Sequence, residues 1–270
     1  MQKYYDYHSH ASFSYDAHIS IEQTCSMAIA SGAAGLTFTE HLTLADDPTR
    51  DMKPDPAAYA AEIKRARAVF PQLELGMGLE LDLNPVRTAD LDELTQNSAW
   101  DFVLGSVHEL YGCNLTGYDG GFSATHSVKK SYHNYFCGLY ERVLAMTCFD
   151  VLGHLDLLRR DSRFTKQPFA YADHAEVLDA ILYLLIRRGQ GLEVNTAAWR
   201  YGVAEAHPGM QVLRRYRQLG GEVLTCGSDC HSPAAVFYRI PEGYAMIKEA
   251  GFKYISLFEN RKPKQLKLEI

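Results

Sequence analysis

Apolar and polar positions along this chain follow two alternating rhythms. Short runs of strand character are "KYYDYH", "AGLTFTEH", "LELGMGLELD", "WDFVLGSVH", "FDVLGHLD", "QGLEVN" and "GEVLTCGSD". Between them lie runs with helical spacing: "SIEQTCSMAIASG", "DPAAYAAEIKRARAVF", "TADLDELTQN", "VKKSYHNYFCGLYERVLAM", "YADHAEVLDAILYLLIRRG" and "GMQVLRRYRQLG". Gly32 reads as the end of the first helix, and Asp55 before Pro56 reads as the cap and first turn of the second. A long loop, "ELYGCNLTGYDGGFSATH", follows the fourth strand, and the tail "GYAMIKEAGFKYISLFENRKP" reads as a helix and a last strand. Strands alternating with helices imply a parallel sheet in an α/β domain. No linker-like shift or low-complexity segment interrupts the 270 residues, so one domain over 1–270 is expected. The absence of a GxGxxG or Walker-type loop counts against a nucleotide-binding open sheet.

The residues at the strand ends carry the choice between a closed barrel and a doubly wound sheet. His8 and His10 end the first run, Glu40 and His41 the second, Glu80 and Asp82 the third. His108 follows the fourth, His154 ends the fifth, Asn195 the sixth, and Asp229 and His231 the seventh. In a barrel these ends meet on one face, where active sites are built; an open sheet would spread them along an edge. The convergence favours the barrel.

Such a donor set suits Zn, Mn or Fe better than Mg or Ca, which prefer oxygen shells. His8 and His10 lie two apart on a strand, so both can grip one ion. The candidates outnumber what one tetrahedral site uses, and their count points to two or three divalent ions. His18, His126, His133, His174 and His207 lack strand-end placement and read as surface or helix-face histidines. The tyrosines of "YHNYFCGLY" read as helix packing.

Composition narrows the partners. The formal net charge of −6 counts against a general nucleic-acid or acidic-membrane binder. No apolar run approaches the ~20 residues that span a bilayer. The start "MQKYYDYHSH" lacks the apolar core of a secretory signal. Six cysteines without a CxxC pair read as reduced thiols, so a cytoplasmic location is expected.

Taken in order, "YHSHASFSYDA", "FTEH", "GLELD", "GSVH", "GHLDLLRR", "LEVNTAAWRYG" and "GSDCH" resemble the PHP (polymerase and histidinol phosphatase) superfamily, and within it the monofunctional L-histidinol-phosphate phosphatase branch. The resemblance runs from Asp6 to the tail. It implies a distorted (β/α)7 TIM-like barrel with a trinuclear metal site. By motif position, His8, His10, Glu80 and Asp229 would hold one ion. Glu80 would bridge to a second held by His108 and His154, and Asp16, His41 and His231 would hold a third. Asp16 enters only through the resemblance. The implied activity is hydrolysis of L-histidinol phosphate, a step of histidine biosynthesis, by a metal-bridging hydroxide attacking phosphorus. Glu80, Asp229 and His231 are the catalytic candidates.

Phosphate calls for cationic partners, and guanidinium groups match it through paired donors. Arg159, Arg160 and Arg200 follow ligand-bearing strands, with Arg160 preferred to Arg159. Glu109, Asn195 and Tyr118 are candidates for the amine and imidazole of the substrate. "VHELYGCN" stands where the family runs closer to "VHFIDG", and Cys230 stands where Ala is usual. The alternative reading is a PHP phosphoesterase or exonuclease acting on nucleotides or on another phosphomonoester. The expected partner is a small-molecule phosphomonoester, with no nucleic acid and no membrane. Nothing in the sequence sets an oligomeric state.

Overall fold

The computed structural model describes residues 2–96, 100–115, 126–167 and 169–269. Seven strands lie where the sequence predicts them: β1 (Tyr5–Ser9), β2 (Gly35–Leu42), β3 (Glu74–Asp82), β4 (Phe102–Ser106), β5 (Val151–Leu152), β6 (Gly191–Asn195) and β7 (Leu224–Gly227). They pair in chain order, all parallel. Beyond the end of β7, Asp229 N–H donates to His8 O at 2.7 Å and His10 N–H to Cys230 O at 2.8 Å. These bonds bring the last strand back to the first, and the sheet becomes a nearly closed barrel. Helices α1 (Ile21–Ala30), α2 (Pro56–Val69), α3 (Thr88–Gln96), α4 (Val128–Ala145), α5 (Ala175–Arg188), α6 (Met210–Gln218) and α7 (Ile240–Glu249) accompany the strands. No helix among the described residues is long and apolar enough to cross a membrane.

Local chemistry sets the helix ends. Ser20 caps α1 in a reciprocal pair with Gln23. At the other end, Gly32 N–H donates to Ile29 O at 3.0 Å and Ala33 N–H to Ala28 O at 2.9 Å, with Gly32 at φ +85. The helix therefore ends at Ser31, one residue before the glycine, whose left-handed backbone closes the last turn. The Asp55 carboxylate accepts from Ala57 and Ala58 N–H at the start of α2, and Tyr59, Ile63 and Ala66 form that helix's buried stripe.

Alternation along the strands sorts two cores. On β2, Leu36, Phe38 and Leu42 join the large core shared with the helices, and Thr37, Thr39 and His41 take the opposite face. A smaller cluster of Tyr5, Tyr7, Phe102, Leu104, Val151 and Phe258 fills the barrel near the strand starts. The strand ends are left to polar residues.

Two elements differ from expectation. The fifth strand shrinks to Val151–Leu152, because Gly153 is followed by His154, whose N–H turns to the Glu193 carboxylate at 2.8 Å. The tail forms an antiparallel hairpin outside the barrel sheet, β8 (Tyr254–Glu259) with β9 (Lys262–Lys267). Its turn residue Arg261 donates to Asp150 at 2.7 Å and to Cys148 O at 2.9 Å, pinning the hairpin near the strand starts.

Gly227 shows how tightly the barrel closes. A Cβ there would lie 2.2 Å from the His8 Cβ and 2.5 Å from Glu193 Oε1. Gly227→Ala should therefore cost roughly 1–3 kcal/mol of folding stability, the usual scale of overpacking. Denaturant unfolding of the two proteins checks this, and an unchanged midpoint would contradict the close packing of β7 on β1.

Candidate metal centre

The end of β3 sets the middle of the site. Glu80 is buried, and its two oxygens face different sets of imidazoles. Oε2 lies 3.1 Å from His41 Nδ1, 3.3 Å from His10 Nε2 and 3.4 Å from His8 Nε2. Oε1 lies 2.9 Å from His154 Nε2 and 3.5 Å from His108 Nε2. Asp229, at φ +55 after β7, brings Oδ1 to 3.7 Å from His8 Nε2 and 3.9 Å from His10 Nε2. Asp16, on the loop after β1, lies 3.5 Å from both His41 Nε2 and His231 Nε2.

These side chains form three compact donor groups: His8, His10 and Asp229; Glu80, His108 and His154; His10, His41 and His231. The chemistry of the donors fits metal ions. His8 Nε2 faces His10 Nε2 at 3.1 Å, and His41 Nε2 faces His231 Nε2 at 3.3 Å. Paired ring nitrogens turned toward each other, beside the buried Glu80 Oε2 that lacks a hydrogen-bond donor among the described residues, suit a shared cation. The sequence grouping differs in three respects: His10 belongs to two of these groups, Glu80 to one rather than two, and Asp16 to none, standing at the exposed edge of the third.

Charge within the site is strongly coupled. Burial opposes the Glu80 charge, but the imidazoles, His8 foremost, hold the carboxyl well below its usual range. Burial also opposes a charge on His8, but Glu193, Glu80 and Asp229 raise that imidazole well above its ordinary value. Burial, with His231 and His41 beside it, holds His10 well below its own. Burial lifts Glu40 to about 7. A cation held by His10 and His41 would favour its ionised form.

Carboxylates behind the ring orient it. Glu193 Oε1 meets His8 Nδ1 at 2.7 Å, and Asp82 Oδ1 meets His108 Nδ1 at 2.7 Å. Such contacts set the ring orientation and leave the other nitrogen for the ion. Glu193 had no place in the sequence reading. The alternation of β6, which puts it on the face of Asn195, was the signal that could have found it.

A cleft of about 400 Å³ opens above the ring. It is lined by Asp16, His41, His108, Asp229 and His231, together with Arg160, Arg200, Tyr15 and Tyr201. Arg160 pairs with Asp229 Oδ2 and lies 4.9 Å from the Tyr201 ring centre. Arg200 donates to Ser228 O and Asp229 O, each at 2.7 Å, which ties down the turn that carries Asp229.

The other substrate-side candidates fall elsewhere. Arg159 is 5% exposed and bonds to Asp156 at 2.9 Å, away from the cleft, so its guanidinium is a packing element of the loop. Asn195 is fully buried beneath the ring. Its Oδ1 accepts from Ala197 N–H at 3.0 Å and its Nδ2 lies among Glu193, His8 and Asp229. Glu109 is exposed and does not line the cleft. Tyr118 lies outside the described residues. His207, read from sequence as a bystander, is buried against Asp156.

Comparison with known proteins follows from this geometry. Residues 6–197 match the PHP domain family. The chain is 28% identical to the histidinol-phosphatase of Lactococcus lactis over 95% of both chains. It is 31% identical to the probable histidinol-phosphatase of Deinococcus radiodurans over 87% of this chain and 88% of that one. Among solved structures, the Lactococcus lactis histidinol phosphate phosphatase, in complex with zinc, L-histidinol and phosphate, superposes with a TM-score of 0.86. It is 26% identical and covers 97% of this chain and 99% of its own.

Two outcomes follow. Glu80→Gln should lower bound metal and phosphatase activity together, measured by elemental analysis and turnover; full retention of both would refute a bridging role. The second concerns His207. Burial holds its imidazole down to about 4, against the pull of Asp156. Arg159 already balances Asp156, and His207 Nε2 finds no partner among the described residues, so the ring is neutral and donates through Nδ1. Its folded value lies below the unfolded ~6.5, so its contribution to stability is complete above pH 6.5 and is lost as pH falls toward 4. In metal-stripped protein, the stability gap between wild type and His207→Gln should narrow from pH 7 to pH 5 in urea unfolding. A constant gap would mean that His207 is not the titrating group.

Proposed function

The chain belongs to the PHP domain family, and from that premise we propose that it hydrolyses L-histidinol phosphate to L-histidinol and phosphate, with residues 1–270 acting as one domain. It is a metal-dependent phosphomonoesterase of histidine biosynthesis. The observation that carries the substrate class is the lining of the cleft. Two guanidinium groups, Arg160 and Arg200, share one opening with Asp16, His41, His108, Asp229 and His231. Cationic forks beside an array of metal-ligand residues suit a phosphate ester.

In this reading His8, His10, Glu80 and Asp229 hold one ion. Glu80, His108 and His154 hold a second, and Asp16, His41 and His231 a third. When bound, the ions supply an activated water at neutral pH and positive charge for the phosphoryl oxygens. The chain's own residues do the rest. Arg160, oriented by Asp229 and the face of Tyr201, receives phosphate oxygens and offsets the charge that builds on them. Arg200 keeps the Asp229 turn in place through its two backbone bonds, and its remaining contact with the cleft is electrostatic. The leaving alkoxide takes a proton at the cleft wall, where Asp229 and His231 stand. The partner is a small molecule, and the cytoplasm is the proposed location.

A steady-state comparison separates the readings. Metal-loaded protein should turn over L-histidinol phosphate well above mononucleotides, simple phosphomonoesters and a single-stranded oligonucleotide, and a chelator should abolish the activity. Equal, feeble rates on every ester would defeat the substrate assignment. Turnover that resists the chelator would defeat the metal mechanism.

A further inference from the structure

One hydroxyl ties together two of the candidate ligand strands. Ser14 Oγ lies 3.0 Å from His10 Nδ1, 2.6 Å from Glu40 Oε2 and 3.0 Å from the His41 backbone N–H. The Glu40 carboxylate also accepts from Ala11 N–H, at 3.0 Å to Oε1 and 3.2 Å to Oε2. Glu40 and His10 are both fully buried, and Ser14 is 5% exposed, so water does not supply substitute partners.

With Glu40 ionised, the form that a bound cation favours, the donors and acceptors have one consistent arrangement. An ionised carboxylate only accepts, so the Ser14 O–H donates to Glu40. The His41 N–H fills one lone pair of Ser14 Oγ. The remaining lone pair faces His10 Nδ1, which must then carry the ring proton and donate. His10 Nε2 is left unprotonated, and it is the nitrogen that faces His8 Nε2 and Glu80 Oε2. We infer that Glu40 and Ser14 are a positioning pair that fixes the His10 tautomer, and so presents His10 Nε2 as a ready ligand to the two donor groups it shares.

The pair acts differently from Glu193 and Asp82, each of which reaches its histidine directly. Here the carboxylate works through a hydroxyl, and the same hydroxyl holds the His41 backbone. The end of β1 and the end of β2 are therefore set by one hydrogen-bond centre. The inference rests on the metal-centre reading, and its test is independent of any substrate.

Glu40→Gln is the sharp variant because it keeps the shape and reverses one bond. With the amide NH2 toward Ser14, both that group and the His41 N–H fill the lone pairs of Oγ. The Ser14 O–H must then donate to His10 Nδ1, which pushes the ring proton onto Nε2. With the amide turned over, its NH2 faces the Ala11 N–H instead, donor against donor. That clash disfavours the one orientation in which Ser14 could still donate to the side chain, so the arrangement with the His10 proton on Nε2 prevails.

The experiment uses the full chain, stripped of metal, with Zn2+ as the probe. Chelator competition should show Zn2+ affinity of Glu40→Gln and Ser14→Ala lowered roughly 10- to 100-fold, the usual effect of removing a group that orients a ligand. Saturating Zn2+ should recover most of the turnover, which a folding defect would not allow. In nitrogen NMR of the metal-free protein at a pH well above the Glu40 value of about 7, the His10 ring, identified by its loss in His10→Gln, should report Nδ1–H in wild type and Nε2–H in Glu40→Gln. Wild-type Zn2+ affinity with an unchanged tautomer in Glu40→Gln would overturn the inference. If that variant does not fold, wild-type Zn2+ affinity in Ser14→Ala overturns it alone. A null result here, with Glu80→Gln still stripping metal, would leave the metal centre standing.

Discussion

A carboxylate sealed from water and faced by imidazoles is the constraint around which this barrel is built. Glu80 is 1% exposed, and among the described residues its two oxygens face the ring nitrogens of His8, His10, His41, His108 and His154. Burying an anion is costly unless positive charge accompanies it. A neutral imidazole can offer one N–H to the carboxylate but brings no charge to balance it. The cluster therefore calls for either protons, toward which the surrounding carboxylates push His8, or metal ions that displace them. The closure of β7 on β1 through His8 O and Cys230 O is what brings Asp229 and His231 into this company, since an open sheet would leave them a barrel's width from Glu80.

That constraint extends outward. A ring nitrogen serves as a ligand only when its partner nitrogen is held, and the holders come from strands that carry no ligand of their own or carry one further along. Glu193 sits between His8 and the His154 backbone and uses both oxygens, so it couples β1, β5 and β6. Asp82 holds His108 from two residues beyond Glu80 on the same face of β3. The barrel interior is accordingly polar toward the strand ends and aromatic toward the strand starts, where Tyr7, Phe102 and Phe258 pack. Stability and site chemistry are divided along the barrel axis.

How much of this was legible in the sequence depends on whether a residue acts by strand position or by side-chain reach. The seven strands and the ring His8, His10, His41, Glu80, His108, His154, Asp229 and His231 were legible because strand ends converge in any closed parallel barrel. Asp16 was not legible from pattern, since a loop has no periodicity; the family resemblance supplied it. Glu193 and Ser14 were missed, and Glu40 was placed at a strand end without its role, for another reason. Their role lies in what they hold across strands, and a single sequence gives no register between strands. Asn195 was placed correctly at a strand end, but its depth below the ring turns it into a cap and spacer for Glu193 and Asp229.

The adjacent pair Arg159 and Arg160 carries the same lesson into the cleft. Both sit at the end of the short 3-10 turn Leu157–Arg160, where successive side chains leave about 120° apart. That single geometric fact separates them. Arg159 points inward to Asp156 and the loop around Ala206, where a buried carboxylate and a buried guanidinium compensate each other. Arg160 points to Asp229 and the face of Tyr201, at the wall of the cleft. The two arginines have the same chemistry and neighbouring numbers, yet one can meet a ligand only if the loop unfolds. The other meets it in place, already oriented, at no further cost in side-chain order. The phosphate-binding role proposed above therefore suits Arg160, whose orienting partner is itself a proposed metal ligand. In that proposal the pairing would link the phosphate to the ions through one carboxylate, Asp229.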